Sequence, residues 1–593
     1  MAGNKCDVLI VVPPLATASY PQLGAGVIVA ACKASGIRTA ALYANMTLAA
    51  HIGWQSYERA AGAWLPHMAG EAVFAPFAFP GNPDPLESLF VKGKPKRVIS
   101  GPPRPRLNRK DFMVCRQAVH WFLDRTVSRI LEFQPRIVGF SSTFRQTLAS
   151  VAIARRLKSV CPEVLTVLGG YNARMPMGRA LSAIADPIDC VFAGEADIDF
   201  PAFCADFLDN ANMPIPRVVD CGVVGNIESV KPPDFEDYFH ELREYQATGK
   251  LPANWPVRLN FESSRGCWWG KCRFCGLNGE TNVYRSKSVS NIAKELRYLS
   301  QRYGISRFEA TDTVMPPDLL NGLSAFKGQN FPDIELLYEV RANLASEDIV
   351  RLACAGVKTI QPGIESLSTA VLEAMNKGTT GAANVRLLRD ALANGICVIW
   401  NYLIGVPGES SKEYEKTCEL LPLLEHLQPP QTWGPIRIER FSAYFNHSSD
   451  YGIINIRPFV NMAKLFPPDA SVYDLSMWFD AEWETELLAD PALLQQVAQM
   501  LQKWFNAWRD VDDRPVLLAV PMPGGRMLVR DTRGCACEEY HILERPTAGT
   551  LVDLAQPRRV SISQTDEVKD LVKRKLVIEL DDCLLSLPVI LPA

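Results

Sequence analysis

The sequence predicts an α/β protein made of a doubly wound parallel sheet, a partial barrel of six strand–helix units and a small α+β region at the end of the chain. Three observations predict it. A chain of 593 residues is too long for one hydrophobic core. Short apolar runs alternate with helix-like stretches in two separate parts of the chain, the pattern of parallel sheets joined by crossover helices. From about Pro458 that alternation gives way to helices and then short strands. These breaks divide the chain into a first domain over 1–225, a linker over 226–256, the barrel over 257–457 and a last domain over 458–593.

Within the first domain the strand candidates are Val8–Val12, Thr39–Tyr43, Ile137–Phe140, Val164–Leu168 and Cys190–Phe192. Amphipathic stretches near Gly24–Ser35 and Leu148–Val160 separate them. Ligands of such sheets sit beyond the carboxyl ends of the strands. Those ends carry Pro13-Pro14, Ser141-Ser142-Thr143, Gly169-Gly170-Tyr171 and Gly194-Glu195. The Pro- and Gly-rich stretch from about Phe74 to Leu107 reads as an irregular insertion. In the barrel the strand candidates are Val257–Phe261, Arg307–Ala310, Leu336–Val340, Thr359–Gln361, Val398–Ile404 and Ile436–Phe441. Helices such as Ser288–Arg302 and Ala382–Asn394 lie between them, and barrel chemistry sits at the strand carboxyl ends. The last domain reads as helices, such as Pro491–Arg509, and strands near Val516–Val520 and Arg526–Arg530.

Composition narrows the class. Hydrophobic residues make up 48% and charged residues 21%, ordinary for a soluble globular protein. A net charge of −3 gives no electrostatic reason to expect nucleic acid or an anionic membrane as partner. The sixteen cysteines are scattered and follow no signal peptide, so reduced thiols are expected. The apolar run from Asp7 to Pro14 is too short to span a bilayer and is closed by two prolines, which suits a buried first strand. No transmembrane segment is found, and a cytoplasmic setting is expected.

The strongest chemical signal is Ser264-Arg-Gly-Cys267-Trp-Trp-Gly-Lys-Cys272-Arg-Phe-Cys275-Gly-Leu-Asn278. Three thiolates within nine residues can converge on one metal centre. Held by three cysteines, a [4Fe–4S] cluster keeps one iron open for an exchangeable ligand. A zinc site completed by a distant Cys or His is the alternative on spacing alone. Trp268 and Trp269 either shield such a centre from solvent or pack beside the barrel mouth.

At this point the chain resembles a family. The strings RGCWWG, CRFCGLNG, FEATD, IQPGIESLS, WNYLIGVPGE and HLQPP resemble those of cobalamin-dependent radical S-adenosylmethionine enzymes. The group within it that these strings resemble matures ribosomally made peptides, the radical peptide C-methyltransferases. The resemblance spans about residues 1–460. Four residues separate Cys267 from Cys272 and two separate Cys272 from Cys275, where the superfamily usually has three and two; the closer group carries longer spacers.

The resemblance implies site roles. Cys267, Cys272 and Cys275 would ligate the cluster, whose open iron chelates S-adenosylmethionine. Thr311 and Asp312 would accept hydrogen bonds from its amino group, though Asp312 alone could also cap a helix. Glu339 and Arg341, two apart on one strand face, would fix its carboxylate or else pair with each other. Glu365 and Ser366 fall where the ribose binds, and Gly405, in Gly405-Val-Pro-Gly408, lies near the adenine. The first domain would be a Rossmann-like cobalamin-binding domain, with Pro14, Ser141, Ser142, Thr143, Gly169, Gly170, Tyr171, Gly194 and Glu195 around the corrinoid. The chain has no Asp-x-His-x-x-Gly segment, so no histidine is offered to cobalt from below; Phe144 or Arg145 is the candidate there.

The expected activity is methyl transfer from methylcobalamin to an unactivated carbon, after reductive cleavage of S-adenosylmethionine has opened that carbon. The expected substrate is a ribosomal precursor peptide, with a small molecule such as tryptophan as an alternative. A flavodoxin- or ferredoxin-type protein is the expected electron donor. Peptide epimerisation, cyclisation or crosslinking without cobalamin is a second alternative, and a zinc-bearing scaffold a third. In the last domain, Arg530-Asp531-Thr-Arg533 either binds peptide or forms a surface turn, and Cys535 and Cys537 read as ordinary thiols.

Overall fold

The computed structural model of the chain describes residues 5–63, 68–90, 108–279, 281–326, 331–510, 512–560 and 565–591. Its first sheet is formed by β1 (Val8–Val11), β2 (Thr39–Leu42), β3 (Ile137–Ser141), β4 (Leu165–Gly169), β5 (Cys190–Gly194) and β6 (Val218–Gly222), in the order β2-β1-β3-β4-β5-β6. All five pairings are parallel. β1, β2 and all but the last residue of β3, β4 and β5 are buried, as expected of strands covered by helices on both faces. Five of the six strands match the sequence reading to within a residue or two. β6 was not foreseen, because its Val-Val-Asp-Cys-Gly is a half-exposed edge without a continuous apolar run.

Helix Glu236–Ala247 lies in the span read as a linker and packs on the first sheet. Its Asp237 and Glu241 carboxylates accept the backbone N–H groups of Ala41 and Tyr43, at 2.7 and 2.9 Å. The expected irregular insertion begins instead as helix Ala69–Ala78, which buries Phe74 and carries Pro76 within it. Residues 91–107 of that insertion lie outside the described residues.

A second sheet is built from β7 (Leu259–Phe261) and the strands Arg307–Ala310, Glu335–Val340, Val357–Pro362 and Cys397–Val398, each parallel to the next. Asn401–Ile404 carries the curve onward and pairs in parallel with Thr432–Pro435. Capped helices cross between the strands: the Ser288 hydroxyl receives the Asn291 N–H before Val289–Tyr303, and the Thr380 hydroxyl that of Ala383 before Gly381–Ala393. The last barrel strand is therefore Thr432–Pro435 and not Ile436–Phe441. Ile438–Glu439 joins an antiparallel sheet with Ile454–Pro458 and Trp478–Glu482. That sheet crosses residue 457 and sets the segment after the barrel against its mouth. Helix Pro491–Ala507 and a sheet ordered Tyr540–Leu543, Arg526–Asp531, Leu517–Met522, Val589–Ile590 form much of the remainder.

Candidate active site

The cysteine loop leaves β7 through a two-residue antiparallel ladder, Ser264–Arg265 against Arg285–Ser286. The loop closes on the neighbouring antiparallel sheet. The Gly276 N–H donates to Glu439 Oε2 at 3.0 Å, and a Cβ at Gly276 would run into the Arg440 carbonyl oxygen. The three thiols are half-buried, and the charges of neighbouring cysteines bear on Cys272 and Cys275. Burial raises the Cys272 thiol, and Lys377 opposes the rise. Burial, then the Glu439 carboxylate, pushes Cys275 up to about 12. Among the described residues no three His, Cys, Asp or Glu side chains converge as ligands of a single ion. Thiolates that each bind a different iron of a cluster need not converge so tightly. An anionic cluster also suits the cations beside the loop, Lys377 and Arg341, so the donor set fits a polynuclear iron–sulfur group.

Arg341 covers this loop. Its guanidinium lies 3.9 Å from the Trp269 ring centre and 5.3 Å from that of Trp268, and it donates to the carbonyls of Lys377 and Gly378 at 2.8 and 3.1 Å. Lys271 stacks on Trp269 at 5.0 Å. Among the described residues no Glu339–Arg341 ion pair forms, which removes the structural pairing weighed above. Trp268 stays 38% exposed, while Trp269 donates its indole N–H to the Asn376 carbonyl at 3.0 Å.

Carboxylates crowd the barrel mouth below. Asp312 is buried and accepts the Ser263 N–H at 2.8 Å and its hydroxyl; it caps no helix. Burial pushes Asp312 up to about 6, against those hydrogen bonds. Burial, then the charges of Glu365 and Asp312, pushes Glu339 up to about 7. Glu365 sits in the left-handed region at φ 56° and pairs with Lys377 at 3.6 Å. Thr311 is exposed beside them. Ser366 is buried, and its hydroxyl accepts the Ser368 N–H at 3.1 Å, so that oxygen is engaged in its own turn. Gly405 does not stand open to a flat base. Its carbonyl accepts the Trp483 indole N–H at 2.8 Å, and a Cβ there would lie 3.1 Å from Leu488.

In the first domain, the carboxyl ends of β3, β4 and β5 open on a cleft of about 880 Å³. Of the expected residues it takes in Ser141, Gly169, Gly170, Gly194 and Glu195. It takes in Gly24 as well, from the segment Pro13–Gly26 also expected at these loop ends, and adds Phe200, Asp197, Glu262 and Arg265, which sequence reasoning did not single out. Its floor is backbone. A Cβ at Gly24 would meet nothing nearer than Ser141 Oγ at 4.0 Å, and one at Gly169 nothing nearer than 3.8 Å. The side chains absent there are cleft volume, a slot that fits a flat aromatic tail of a corrinoid. Ser142 and Thr143 do not face this slot. The Ser142 hydroxyl shares a hydrogen bond with Thr147 at 3.2 Å, and the Thr143 hydroxyl donates to Gln146 at 2.6 Å. Pro14 is buried beside them, and the Pro13 carbonyl accepts from Gln146 at 2.6 Å.

Tyr171 lines a second hollow of about 620 Å³, with Phe144, Met68, Met177, Met477 and Trp478. Phe144 is held at φ 50°, its N–H bound to Asn172 at 3.0 Å, and its ring stacks 6.0 Å from Trp478. Arg145 turns away and donates to the carbonyls of Ala61 and Ala63, which leaves Phe144 as the one of the pair presented at the strand ends. Glu195 is not free for a ligand: both Arg265 and Arg285 hold it.

A three-cysteine loop after the first strand of a partial barrel, set against a doubly wound parallel sheet, defines the class. Residues 261–421 match the model of the Radical SAM superfamily, and this stretch is a radical SAM domain. Such domains need a [4Fe–4S] cluster and S-adenosylmethionine. An uncharacterised methyltransferase of Pyrococcus horikoshii is 24% identical over 313 residues, covering 50% of this chain and 66% of the relative. The chain spans less than two thirds of the length of curated relatives it matches. Among solved structures the fold is similar to the cobalamin-dependent S-adenosylmethionine radical enzyme OxsB with aqua-cobalamin bound. That likeness has a TM-score of 0.54 at 13% identity, over 85% of this chain and 67% of that one. It is also similar to the radical S-adenosylmethionine methyltransferase TsrM of Kitasatospora setae with cobalamin and a [4Fe–4S] cluster bound. There the TM-score is 0.51 at 14% identity, over 83% of this chain and 90% of that one. Among the described residues no helix is long and apolar enough to cross a membrane.

Proposed function

We propose that the protein is a cobalamin-dependent radical S-adenosylmethionine C-methyltransferase acting on an unactivated carbon of a ribosomally made precursor peptide. The observation that carries this reading is a juxtaposition. The slot at the end of the first sheet reaches the barrel at Glu262 and Arg265, two residues before Cys267, and Arg265 bonds Glu195 and Asp197 of the first domain there. When bound, the cluster and the corrinoid supply one-electron cleavage of S-adenosylmethionine and a transferable methyl group.

The chain's own residues then have separate tasks. Cys267, Cys272 and Cys275 hold the cluster as thiolates. Lys377 and Arg341 favour the charged form at Cys272 against the burial that opposes it. Glu339 and Asp312 place acceptors at the mouth for a cationic amino group, and a cation arriving there relieves the repulsion between them. The Trp268–Arg341–Trp269 stack keeps water from the loop. Gly24 and Gly169 leave the slot open. The curated relative's description as a methyltransferase supports methyl transfer over other radical chemistry. The peptide substrate rests on the strings shared with the peptide-maturing group.

The test is anaerobic reconstitution of the full chain with iron, sulfide and hydroxocobalamin, followed by reductant and S-adenosylmethionine. Stoichiometric corrinoid, an iron–sulfur absorption band and release of 5′-deoxyadenosine are expected. Cleavage by a protein that binds no corrinoid would contradict the methyltransferase reading.

A further inference from the structure

Arg265 stands two residues before Cys267 and makes contacts that no sequence spacing announces. Its planar guanidinium has five N–H donors, and all five are used. Nε and Nη2 each donate to Glu262, both at 2.8 Å. Nη1 donates to Glu195 and to Asp197, both at 2.9 Å, and Nη2 also donates to Asp197 at 2.7 Å. Glu262 belongs to the barrel, just after β7. Glu195 and Asp197 belong to the first domain, just after β5. One side chain therefore closes a three-carboxylate clamp between the two.

The clamp extends on both sides. Arg285, opposite Arg265 in the two-residue ladder, donates to both oxygens of Glu195 at 2.8 and 2.9 Å and to the Val224 carbonyl at 2.6 Å. Glu195 also accepts the Val224 N–H at 2.8 Å. Lys287 pairs with Glu295 at 2.7 Å and approaches Glu262 at 4.0 Å, with both ends of the close pair buried. Ser263, next to Glu262, carries both hydrogen bonds to Asp312. The four clamp residues Glu195, Asp197, Glu262 and Arg265 also line the first-domain slot. A ligand in that slot and the cysteine loop thus bear on the same set of side chains.

We propose that Arg265 is a positioning residue: it fixes the slot wall relative to the cysteine loop, so that corrinoid binding and cluster assembly favour one another. The inference rests on the reading that the slot takes a corrinoid. A charge alone does not suffice for this task. Lysine offers a point charge with three rotatable donors, and it cannot span three carboxylates from two domains in one plane. Coupling of this kind is reciprocal, so the factor by which the cluster tightens corrinoid equals the factor by which corrinoid tightens the cluster.

The test is a titration of the full chain with hydroxocobalamin, with and without the reconstituted cluster, in the wild type, Arg265→Lys and Asp197→Asn. In the wild type the cluster-loaded protein should bind hydroxocobalamin about tenfold more tightly than the cluster-free protein. In Arg265→Lys the ratio should fall close to one, while iron content and the ability to bind corrinoid persist. Asp197→Asn, which alters the clamp from the first-domain side, should give an intermediate ratio and serves should Arg265→Lys not fold. A merely structural role would lower both affinities together and leave the ratio unchanged. A wild-type ratio of one, or a wild-type ratio retained in the variants, overturns the proposal. A wild type that binds no corrinoid at all overturns it together with the methyltransferase reading, and no ratio then exists to be confused with that outcome.

Discussion

The slot of the first domain and the mouth of the barrel are built from opposite materials. The slot is backbone, glycine and apolar side chain, with its charged residues gathered on one wall and paired there. The mouth buries Asp312 and half-buries Glu339 and Glu365, with one lysine near them, and burial raises all three. A surface of the first kind is complete when empty. One of the second kind carries desolvated carboxylates that a cationic ligand would relieve. On the proposed reading, the comparison teaches that the slot would select by shape and the mouth by charge.

Four changes and one control would break or sharpen that contrast, the changes taken from the largest effect to the smallest. Cys272→Ala should reduce iron bound after reconstitution well below the wild type and bring S-adenosylmethionine cleavage to background, read by iron assay and chromatography of 5′-deoxyadenosine. Corrinoid bound at the slot should persist in that variant, though more weakly. In the slot, Gly24→Leu should weaken hydroxocobalamin binding by at least about tenfold, because the new side chain fills ligand volume. Leucine suits a helix better than glycine, so the melting temperature should not fall. Gly170→Ala is the control from the same loop cluster. At φ 101° its Cβ would meet the Ser142 carbonyl oxygen at 2.5 Å, so it should cost about 1–3 kcal/mol by chemical denaturation.

Asp312→Asn tests the mouth by pH. The wild-type carboxyl moves from 3.8 unfolded to about 6 folded, so the folded state holds its proton more tightly. Its contribution is fully present below pH 3.8 and is lost as pH rises through 6. Between pH 4 and pH 7 the wild type should therefore lose about 2 kcal/mol relative to the variant, in denaturant titrations at the two pH values. Arg341→Lys should have the smallest effect. It removes the planar cation from the faces of Trp268 and Trp269, at about 1 kcal/mol, and should change tryptophan fluorescence.

The parts legible in the sequence were those that repeat locally. Strands β1 to β5 show as apolar runs because both their faces are buried, and the cysteine loop shows as a dense cluster of ligands. Thr432–Pro435 escaped because Thr-Trp-Gly-Pro reads as a turn, whereas the neighbouring Ile436–Phe441 alternates like a strand and Ile438–Glu439 does pair, in another sheet. The clamp was invisible for a different reason. Arg265 meets Glu195 and Asp197 across about seventy residues of chain, and no periodicity records such a contact. Ser142, Thr143 and Ser366 looked like ligand donors because hydroxyls cluster at strand ends, yet each is engaged in its own loop. Residue type indicates what a side chain can donate or accept, and only the fold decides which partner it meets.

The most direct measurement supplies the reconstituted, reduced protein with S-adenosylmethionine carrying a trideuterated methyl group, together with candidate precursor peptides, and follows the peptides by mass spectrometry. The methyltransferase reading predicts a peptide heavier by one trideuteromethyl group in place of hydrogen on carbon, formed only when corrinoid is bound. Cleavage of S-adenosylmethionine with unlabelled peptide that is epimerised, cyclised or crosslinked would contradict it.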